Sequence, residues 1–481
     1  MSREIDTVIE TIGFDKGRLK TDSRLVGPGD VFVAIKGTAC DGHDFIPEAL
    51  AKGAVKVVCE QRRTCSEGQE KIIVVPDARK ALGEMATRLY GNPSNALKVY
   101  GVTGTNGKTT TVFLIDGILN AAGRGSGLVS TVFTKTSGDK VVRSSMTTPD
   151  LLSINRLLLE MISHGKKAAV LEISSHALDQ ERVFGVKLDS AVFTNITPEH
   201  LDYHGNMRSY LAAKSKIFKS LKQGGAAVLN ADDPMVARLK EKAKVPVLMF
   251  GLGEEADVRG SDIRTFSGST EFDIEAKDIG KIHVRSRLIG KHNVYNMLAA
   301  AAALSASGIT IDQIKEGLEK AQPVPGRLDR VETAAPFTVL VDYAHTPNAL
   351  ENVLNCLRSI AEEKLICVFG AGGDRDRTKR PVMGRIATDI CDRVILTSDN
   401  PRSEDPMDIL NEIEKGVKDK TNYSIISNRK DAVKSAIEAA ESGDVVVIAG
   451  KGHEDCQIVG DSVLHFNDKE VAAEILRGLG Y

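Results

Sequence analysis

The sequence predicts an α/β protein of three domains, built on parallel sheets with helices on both faces. The chain has 481 residues, of which 42% are hydrophobic, and at roughly 150 residues per domain this length suggests about three domains. Apolar runs alternate with helical patterns, which is the order of elements in parallel sheets. Two stretches with Pro and Gly, at 91–96 and 321–327, interrupt this order. We therefore expect domains at 1–95, 96–321 and 322–481.

Each block contributes elements of this alternating kind. The first block has β-rich runs at 30–35 and 55–59 and a helix at 77–90. The middle block has strands at 97–102 and 168–173, a helix at 110–121 and a packed Ala-rich helix at 297–304. The third block has strands at 338–341, 364–369, 393–397 and 444–449 and a helix at 348–360. Ligands of such sheets bind beyond the carboxyl ends of the strands. The polar clusters of this sequence stand at those ends.

Composition excludes several classes of protein. Lys and Arg total 63 against 65 Asp and Glu, a net charge of −2, which argues against nucleic acid or an anionic membrane as the main partner. We expect no secretory signal, because the first residues lack an apolar core. No segment approaches the ~18 apolar residues of a membrane span. The seven cysteines form no CxxC pair, and we expect reduced thiols in a cytoplasmic protein.

A glycine-rich loop with a lysine predicts a nucleotide site. The segment TGTNGKTT, residues 103–110, lies between a predicted strand and a predicted helix, where backbone N–H groups and the helix N-terminus bind phosphate. Lys108 can reach the terminal phosphates and the Thr109 hydroxyl can bind Mg²⁺. The strict phosphate-loop spacing requires Gly where Val102 stands. The loop is therefore a variant, and the alternative is an ordinary glycine turn before a helix.

Two groups near this loop are candidate metal ligands. Glu172 ends an apolar run, and a carboxylate at a strand end beside a phosphate loop is well placed for Mg²⁺. Its alternative is a solvated strand end. His200 lies in the turn-rich stretch TNITPEHLDYHG. From spacing alone, it is either a metal ligand or a hydrogen-bonded loop histidine.

Lys214 lies in an unusual pattern. We predict a helix whose apolar stripe contains Leu211, Phe218 and Leu221, with Ile217 beside it, and Lys214 falls on that stripe. Such a lysine often extends its ammonium to water. The alternative is a lysine in a desolvated site, where its pKa falls and the neutral amine becomes available for chemistry.

The third block carries polar residues after three predicted strands. They are Asp342 and His345 in VDYAHTP, Arg375 in GAGGDRDRTKR, Asp399 to Arg402 in DNPR, and Gly450 and Glu454 in GKGHE. Arginine suits bidentate recognition of carboxylates, whereas acidic neighbours suit an ammonium group. Each loop alone is explained as a solvated loop. Together, at the strand ends of one predicted sheet, they indicate a polar, zwitterionic ligand.

In combination these motifs resemble the Mur ligases, the ATP-dependent amide-forming enzymes of peptidoglycan precursor synthesis. The resemblance extends over nearly the whole chain and rests on DSR, TGTNGKTT, EISSHALDQERV, TNITPEHLDYHG, GKHNVYN, PGRLDRVE, VDYAHTP, GGDRDRTKRP, DNPR and AGKGHED. Val102 before the loop is the family's form. The resemblance implies a small mixed α/β domain that binds UDP, a central ATPase-like parallel sheet and a Rossmann-like C-terminal domain.

The resemblance also implies a role for each matched residue. Gly104, Thr105, Asn106, Gly107, Lys108, Thr109 and Thr110 would bind ATP phosphates, and Asn296, Arg327 and Asp342 would contact the nucleotide. Thr109, Glu172, His200 and a carbamylated Lys214, formed from CO₂, would hold Mg²⁺ at two sites. Ser23, Thr147, Thr148, Ser174, Gln180 and Arg182 would bind a UDP-muramoyl-dipeptide, and Arg375, Asp399, Asn400, Pro401, Arg402, Gly450 and Glu454 the incoming amino acid.

The implied reaction joins that amino acid to the glutamate side chain of the dipeptide through an acyl phosphate. Arg402 is similar to the pattern of members that add diaminopimelate, whose second carboxylate it would bind; lysine is the alternative amino acid. The sequence does not identify the base that deprotonates the amine, for which His345 and Asp342 are candidates. A monomer is expected.

Two rival functions stay open. Folylpolyglutamate synthetase shares the loop and the ligase chemistry but gives no reason for Arg402 or for the DSR-bearing first block. A phosphate-loop switch or motor leaves EISSHALDQERV and AGKGHED unexplained.

Overall fold

A computed structural model describes residues 2–37, 40–61, 68–138, 140–144, 146–266, 268–276, 280–417 and 421–481. Three main sheets follow one another along the chain, of four, eleven and six strands, with a separate two-stranded hairpin. This arrangement confirms the predicted α/β class. Among the described residues, no helix is both long and apolar enough to cross a membrane.

The first sheet is small and wholly parallel. Its elements are α1 (Ser2–Thr11), β1 (Leu19–Lys20), β2 (Val31–Val33), α2 (Ile46–Ala51), β3 (Lys56–Cys59), β4 (Ile72–Val74) and α3 (Ala78–Tyr90), with the strands in the order β1-β2-β3-β4. Asp77 caps α3 by accepting the backbone N–H of Lys80, and Gly91 ends it in the left-handed conformation. Ile5, Val8 and Met85 pack with Leu151 of the next unit in one core, which fixes the first sheet against the central one.

The central sheet has a parallel middle and antiparallel edges. Its strands are β5 (Lys98–Thr103), β6 (Ser126–Val129), β7 (Phe133–Ser137), β8 (Lys140–Arg143), β9 (Ala168–Glu172), β10 (Leu188–Phe193), β11 (Leu221–Asn230), β12 (Val247–Gly251), β13 (Val258–Thr265), β14 (Thr270–Ala276) and β15 (Gly280–Ser286). The order is β15-β14-β13-β12-β11-β10-β5-β9-β6-β7-β8. Strands β12 to β6 of this order are parallel, whereas β13–β15 and β6–β8 pair antiparallel. Sequence analysis did not predict these edges.

Helices cover both faces of this sheet. They are α4 (Lys108–Ala121), α5 (Leu151–Ser163), α6 (Ser175–Asp179), α7 (Leu201–His204), α8 (Met207–Ser215), α9 (Pro234–Ala237), α10 (Lys291–Ser305) and α11 (Ile311–Lys320). The alanines of α10 lie in the same core as α4 and α11, so the predicted packed Ala-rich helix is confirmed.

The predicted apolar stripe around Lys214 is wrong in part. Helix α8 ends at Ser215, Phe218 lies in a 3-10 turn at Lys216–Ser220, and Leu221 begins β11. The chain turns there because β11 pairs with β10, with Leu221 opposite Leu188. Pairing in the sheet therefore overrides the helical spacing of the apolar residues.

The third sheet carries the polar loops of the third block. Its elements are β16 (Asp329–Arg330), β17 (Thr338–Asp342), α12 (Pro347–Arg358), β18 (Leu365–Phe369), α13 (Lys379–Ile390), β19 (Arg393–Leu396), α14 (Pro406–Glu414), β20 (Tyr423–Ile425), α15 (Arg429–Glu438), β21 (Val445–Ala449), hairpin β22 (Cys456–Val459) and β23 (Ser462–His465), and α16 (Asp468–Gly478). The order is β16-β17-β21-β18-β19-β20, parallel except for β16. Successive residues of each strand alternate between two cores, which confirms helices on both faces.

Candidate active site

The phosphate loop connects β5 to α4 as predicted. Gly104 has φ +147° and Gly107 has φ +83°, a region that residues with a Cβ rarely adopt. A Cβ at Gly107 would overlap Oδ1 of Asn296, and one at Gly104 would overlap Thr194. Both glycines are therefore required, by the backbone conformation of the loop and by the close approach of Thr194 and Asn296.

Lys108 at the start of α4 lies along its own loop. Its Nζ donates to the carbonyl oxygens of Gly104 at 3.1 Å and of Thr105 at 2.8 Å. These are neutral acceptors. A phosphate bound in the loop would offer a charged and therefore stronger acceptor to the same ammonium.

Thr109 and Glu172 meet below this loop. The Thr109 hydroxyl donates to Oε1 of Glu172 at 3.0 Å, and the backbone N–H of Thr131 donates to Oε2 at 2.8 Å. Arg327, from the segment before the third sheet, donates to the Thr109 hydroxyl at 3.2 Å. Glu172 is 1% exposed. The interpretation of Glu172 as a solvated strand end is therefore wrong.

Lys214 is buried beside Lys108. It is 1% exposed, its Nζ donates to the Gly104 carbonyl at 2.6 Å, and it lies 4.7 Å from the centre of the Tyr210 ring. Burial, together with the positive charge of Lys108, holds the pKa of Lys214 well below its ordinary value. The desolvated interpretation of Lys214 is therefore confirmed, and extension of its ammonium to water is wrong.

A cluster of rings surrounds this lysine, and sequence analysis did not predict it. The ring centre of His176 lies 4.6 Å from that of His200 and 4.3 Å from that of Tyr203, and His204 packs against Tyr210 at 5.1 Å. His200 has φ +55°, and desolvation lowers its pKa to about 4. A neutral imidazole is the form that ligates metals. The only sequence signal was the density of His and Tyr in two short motifs.

Glu199 links the cluster to the third sheet. Its Oε2 accepts from the Tyr210 hydroxyl at 3.3 Å, and its Oε1 lies 3.7 Å from Nε2 of His345. Burial alone would raise the pKa of Glu199, but His345, His200 and Lys108 outweigh it and hold that pKa below the ordinary range. Glu199 is thus held as a carboxylate, above all by its interaction with His345 and by the charge of Lys108.

The donors near the loop match a hard divalent cation in their chemistry. Thr109, Glu172 and His200 offer hydroxyl, carboxylate and imidazole donors, as predicted. Within the described part of the chain, no three His, Cys, Asp or Glu side chains form a preorganised metal site.

A cavity of about 600 Å³ separates the central sheet from the third one. Its lining includes Asn106, Gly107, Thr110, Asn296, Arg327 and Asp342, all of them predicted nucleotide contacts. It also includes His292, Asn348 and Cys356, which sequence analysis did not single out. The side chains of Asn106 and Asn348 hydrogen-bond at 3.0 Å across the two units, so residues of both units border this cavity.

Asp342 and His345 differ in which of their atoms are free to accept a proton. Both Asp342 oxygens accept backbone N–H groups, of Leu328 at 2.7 Å and Ala344 at 2.8 Å, and burial raises its pKa. His345 hydrogen-bonds through Nδ1 to the Tyr343 carbonyl at 2.8 Å, which leaves Nε2 facing Glu199.

The residues predicted to bind the acceptor substrate lie together except for Ser23. Thr148 donates to the Glu172 carbonyl at 2.9 Å and accepts from the Ser174 N–H at 3.0 Å. Arg182 donates to Gln180 Oε1 at 2.6 Å and to the Thr148 carbonyl at 3.1 Å, while Thr147 accepts from Thr131 at 3.1 Å. Ser23 lies in the first unit, where it donates to Glu48 at 3.0 Å.

The predicted amino-acid pocket is assembled at the carboxyl ends of β19 and β21. Asn400 donates to Glu454 Oε2 at 2.8 Å, Gly450 approaches Asp399 so closely that a Cβ would lie 2.7 Å from Oδ2, and Arg402 donates to the Gly373 carbonyl at 2.8 Å. Arg375 is exposed and donates to the Asp374 carbonyl at 3.0 Å, and a Cβ on Gly372 would lie within 4 Å of both Arg375 and Arg402. Lys451, which sequence analysis missed, donates to both Asn400 and Glu454 at 3.0 Å.

Comparisons with known proteins agree with this architecture. The description "Mur ligase family, catalytic domain" matches residues 18–90, "Mur ligase middle domain" matches 102–304, and "Mur ligase, glutamate ligase domain" matches 326–452. A UDP-N-acetylmuramoyl-L-alanyl-D-glutamate–2,6-diaminopimelate ligase of Halalkalibacterium halodurans is 45% identical over 459 residues, covering 95% of this chain and 93% of its own. The enzyme of that name from Geobacillus thermodenitrificans is 44% identical over 94% of this chain and 93% of its own.

Solved structures share this fold over most or nearly all of the chain. A structure named as UDP-N-acetylmuramoyl-L-alanyl-D-glutamate–2,6-diaminopimelate ligase is 33% identical, with a TM-score of 0.69 over 96% of this chain and 95% of that one. A folylpolyglutamate synthase of Mycobacterium tuberculosis is 18% identical, with a TM-score of 0.62 over 82% of this chain and 94% of that one. That second likeness concerns the fold alone. The family descriptions and the full-length relatives together establish that this chain belongs to the Mur ligase family.

Proposed function

We propose that this protein is the ATP-dependent ligase that adds meso-2,6-diaminopimelate to the γ-carboxylate of the D-glutamate in UDP-N-acetylmuramoyl-L-Ala-D-Glu. The observation that carries the choice of amino acid is the pocket of Asp399, Asn400, Arg402 and Glu454. It combines carboxylates suited to an ammonium group with an arginine whose fork suits a second carboxylate. The full-length relatives that carry this name support the same choice.

The first step activates the acceptor. A carboxylate oxygen of the glutamate attacks the γ-phosphorus of ATP, and the bond from that phosphorus to the bridging oxygen breaks. ADP departs, and the glutamate is left as an acyl phosphate. Lys108 would exchange its loop carbonyls for phosphate oxygens and offset the charge of the transferring group. The N–H groups of residues 104–110 would hold the phosphates.

The second step forms the amide. The neutral amine of the amino acid attacks the acyl carbon, and phosphate departs from the tetrahedral intermediate. His345 is the better candidate than Asp342 for taking the proton of the amine, because the Asp342 oxygens are occupied by backbone donors. Glu199 beside His345 would stabilise the imidazolium that results.

Thr109, Glu172, His200 and Lys214 would hold Mg²⁺. When bound, the metal would offset the negative charge of phosphate and carboxylate oxygens. Lys214 has the properties that carbamylation needs: burial lowers its pKa, so that the neutral amine is available to add CO₂. The resulting carbamate would be a second carboxylate-like ligand in addition to Glu172.

We also propose one substrate for each unit, within the boundaries 1–95, 96–321 and 322–481. The uridine end would lie at Ser23, ATP in the cavity of the central unit, and the amino acid on the third. A water-free acyl phosphate requires that these units close together. A cytoplasmic, monomeric enzyme is part of the proposal.

The experiment that tests the proposal is an amino-acid panel with UDP-muramoyl-dipeptide, ATP and Mg²⁺, followed by mass spectrometry of the product. Diaminopimelate should be the amino acid incorporated fastest. Faster incorporation of lysine would replace the proposal with its alternative. Phosphate release that needs neither dipeptide nor amino acid would instead point to a switch or motor.

A further inference from the structure

Lys451 lies underneath the proposed amino-acid pocket and is fully buried. Its exposed fraction is 0%, and its Nζ donates at 3.0 Å to Oδ1 of Asn400 and at 3.0 Å to Oε2 of Glu454. Asn400 in turn donates to the same Glu454 oxygen at 2.8 Å. One ammonium therefore joins two side chains, Asn400 and Glu454, that are 54 residues apart in sequence.

The turn after β21 explains how a lysine comes to point inward at this position. Gly450 has φ +114° and Gly452 has φ +54°, so glycine on each side supplies backbone that other residues rarely adopt. A Cβ on Gly452 would lie 2.7 Å from Cβ of Tyr343. The turn is thus packed tightly on both sides of Lys451, and the side chain enters the protein interior.

Lys451 fixes the orientation of the Asn400 amide. Oδ1 of Asn400 accepts from Lys451 and from the backbone N–H of Ile458 at 3.0 Å, while the amide nitrogen donates to Glu454. With both ends of the amide assigned by their partners, the side chain has one stable orientation. Replacing Lys451 by an apolar residue would remove the charged donor of this set.

Lys451 also determines which oxygen of Glu454 is available. Oε2 accepts from both Lys451 and Asn400, and within the described residues Oε1 accepts no hydrogen bond from a protein side chain. The Glu454 side chain is 28% exposed. Glu454 therefore has one oxygen committed to the protein and one left for a donor that enters the pocket.

We infer that Lys451 is a positioning residue for the incoming amino acid, which it never touches. It holds Asn400 and Glu454 in the orientation that binds the ammonium group of the ligand, and it offsets part of the charge of Glu454. This inference rests on the proposed function of the pocket. It predicts that loss of Lys451 raises the KM for the amino acid and leaves the KM values for ATP and the dipeptide nearly unchanged.

The test is Lys451→Met, which keeps the length and volume of the side chain and removes its charge. We expect the KM for diaminopimelate to rise by about 30-fold or more, the range for breaking one partner of a buried, hydrogen-bonded charge pair. The KM values for ATP and for UDP-muramoyl-dipeptide should stay within about threefold. Lys469→Met is the matched control, because Lys469 pairs with Asp329 at 2.6 Å elsewhere in the same unit and should leave all three KM values unchanged.

A second variant separates positioning from folding. Lys451→Met leaves Glu454 without its cation, so the protein loses stability as well; Lys451→Met with Glu454→Gln removes that unpaired charge and should regain most of the lost melting temperature. Glu454 is itself a proposed contact of the ligand, so Glu454→Gln alone is the reference for the double variant. If positioning is the role, Lys451→Met raises the KM for diaminopimelate much less in the Glu454→Gln background than in the wild type, because one of the two groups that Lys451 orients is already altered. If it raises that KM by the same factor in both backgrounds, or if all three KM values rise equally in Lys451→Met, the inference is overturned.

The two levels of proposal fail in different ways. A wild-type enzyme that incorporates diaminopimelate, beside a Lys451→Met enzyme with an unchanged KM, refutes the role of Lys451 alone. A wild-type enzyme that incorporates no amino acid refutes the proposed function and the role of Lys451 with it.

Discussion

Replacing Arg402 by Ala is the sharpest test of amino-acid choice. The guanidinium has five N–H donors, and its hydrogen bonds within the described residues use one nitrogen, which donates to the Gly373 carbonyl at 2.8 Å and lies 3.5 Å from the Asn400 carbonyl. The other donors remain for a carboxylate. Losing a partly buried, charge-assisted contact of this kind costs about 2–3 kcal/mol, so the KM for diaminopimelate should rise roughly 30- to 150-fold.

Steady-state kinetics with each substrate varied in turn measure this effect. Arg402→Lys keeps the charge but not the fork, and should fall between Ala and wild type. Arg377→Ala is the control on the neighbouring loop, since Arg377 is 59% exposed and pairs with Glu412. A KM for ATP that rises as much as that for diaminopimelate would show that Arg402 is structural and would refute the reasoning.

Three further changes test the metal site, the third core and the closed arrangement. Lys214→Ala should lose most turnover and regain part of it in added short-chain carboxylate; full activity in that variant would exclude a carbamate. Arg429→Met breaks a fully buried pair with Asp468 and should lower the free energy of unfolding by about 3–5 kcal/mol in urea denaturation, with much of it regained when Asp468→Leu is added; an unchanged transition would contradict this. Arg143→Glu places a negative charge opposite Asp455 of the third unit. It should weaken the decrease in radius of gyration that ATP and dipeptide cause in small-angle scattering. An equal decrease in variant and wild type would rule the contact out as a determinant of closure.

The sequence predicted what local pattern and backbone chemistry determine. Strand, glycine loop and helix at residues 97–121 follow from an apolar run, Gly104 and Gly107, and a helical pattern, and the structure has them with shifts of one or two residues. The polar loops at the ends of β17, β19 and β21 were predictable for the same reason. Parallel strands bring their carboxyl ends to one edge, so residues far apart in sequence meet without any long-range information.

Burial of charged groups was not predictable in this way. The stripe that suggested a desolvated Lys214 is broken after Ser215, and that lysine is buried by the phosphate loop and by Tyr210, one turn earlier on the same helix. Lys451 has no apolar pattern around it that would indicate burial, and one of its two partners, Asn400, comes from another loop. The antiparallel edges at β13–β15 were missed because their pairing depends on register with neighbours and not on local composition.

Contacts between the central and third units use residues of the proposed site, so closure of the two units and assembly of the site are linked. Arg327 reaches the Thr109 hydroxyl, Asn348 reaches Asn106, and His345 faces Glu199, so each contact uses a residue of the proposed site itself. All three are polar, and polar interfaces between domains open at little cost because water replaces the lost partners. Bound nucleotide would add charged acceptors at Arg327 and Lys108, which favours the closed state by more than these contacts alone. The nucleotide that supplies the phosphoryl group would therefore also help to bring the third unit over the acyl phosphate, which must be shielded from water.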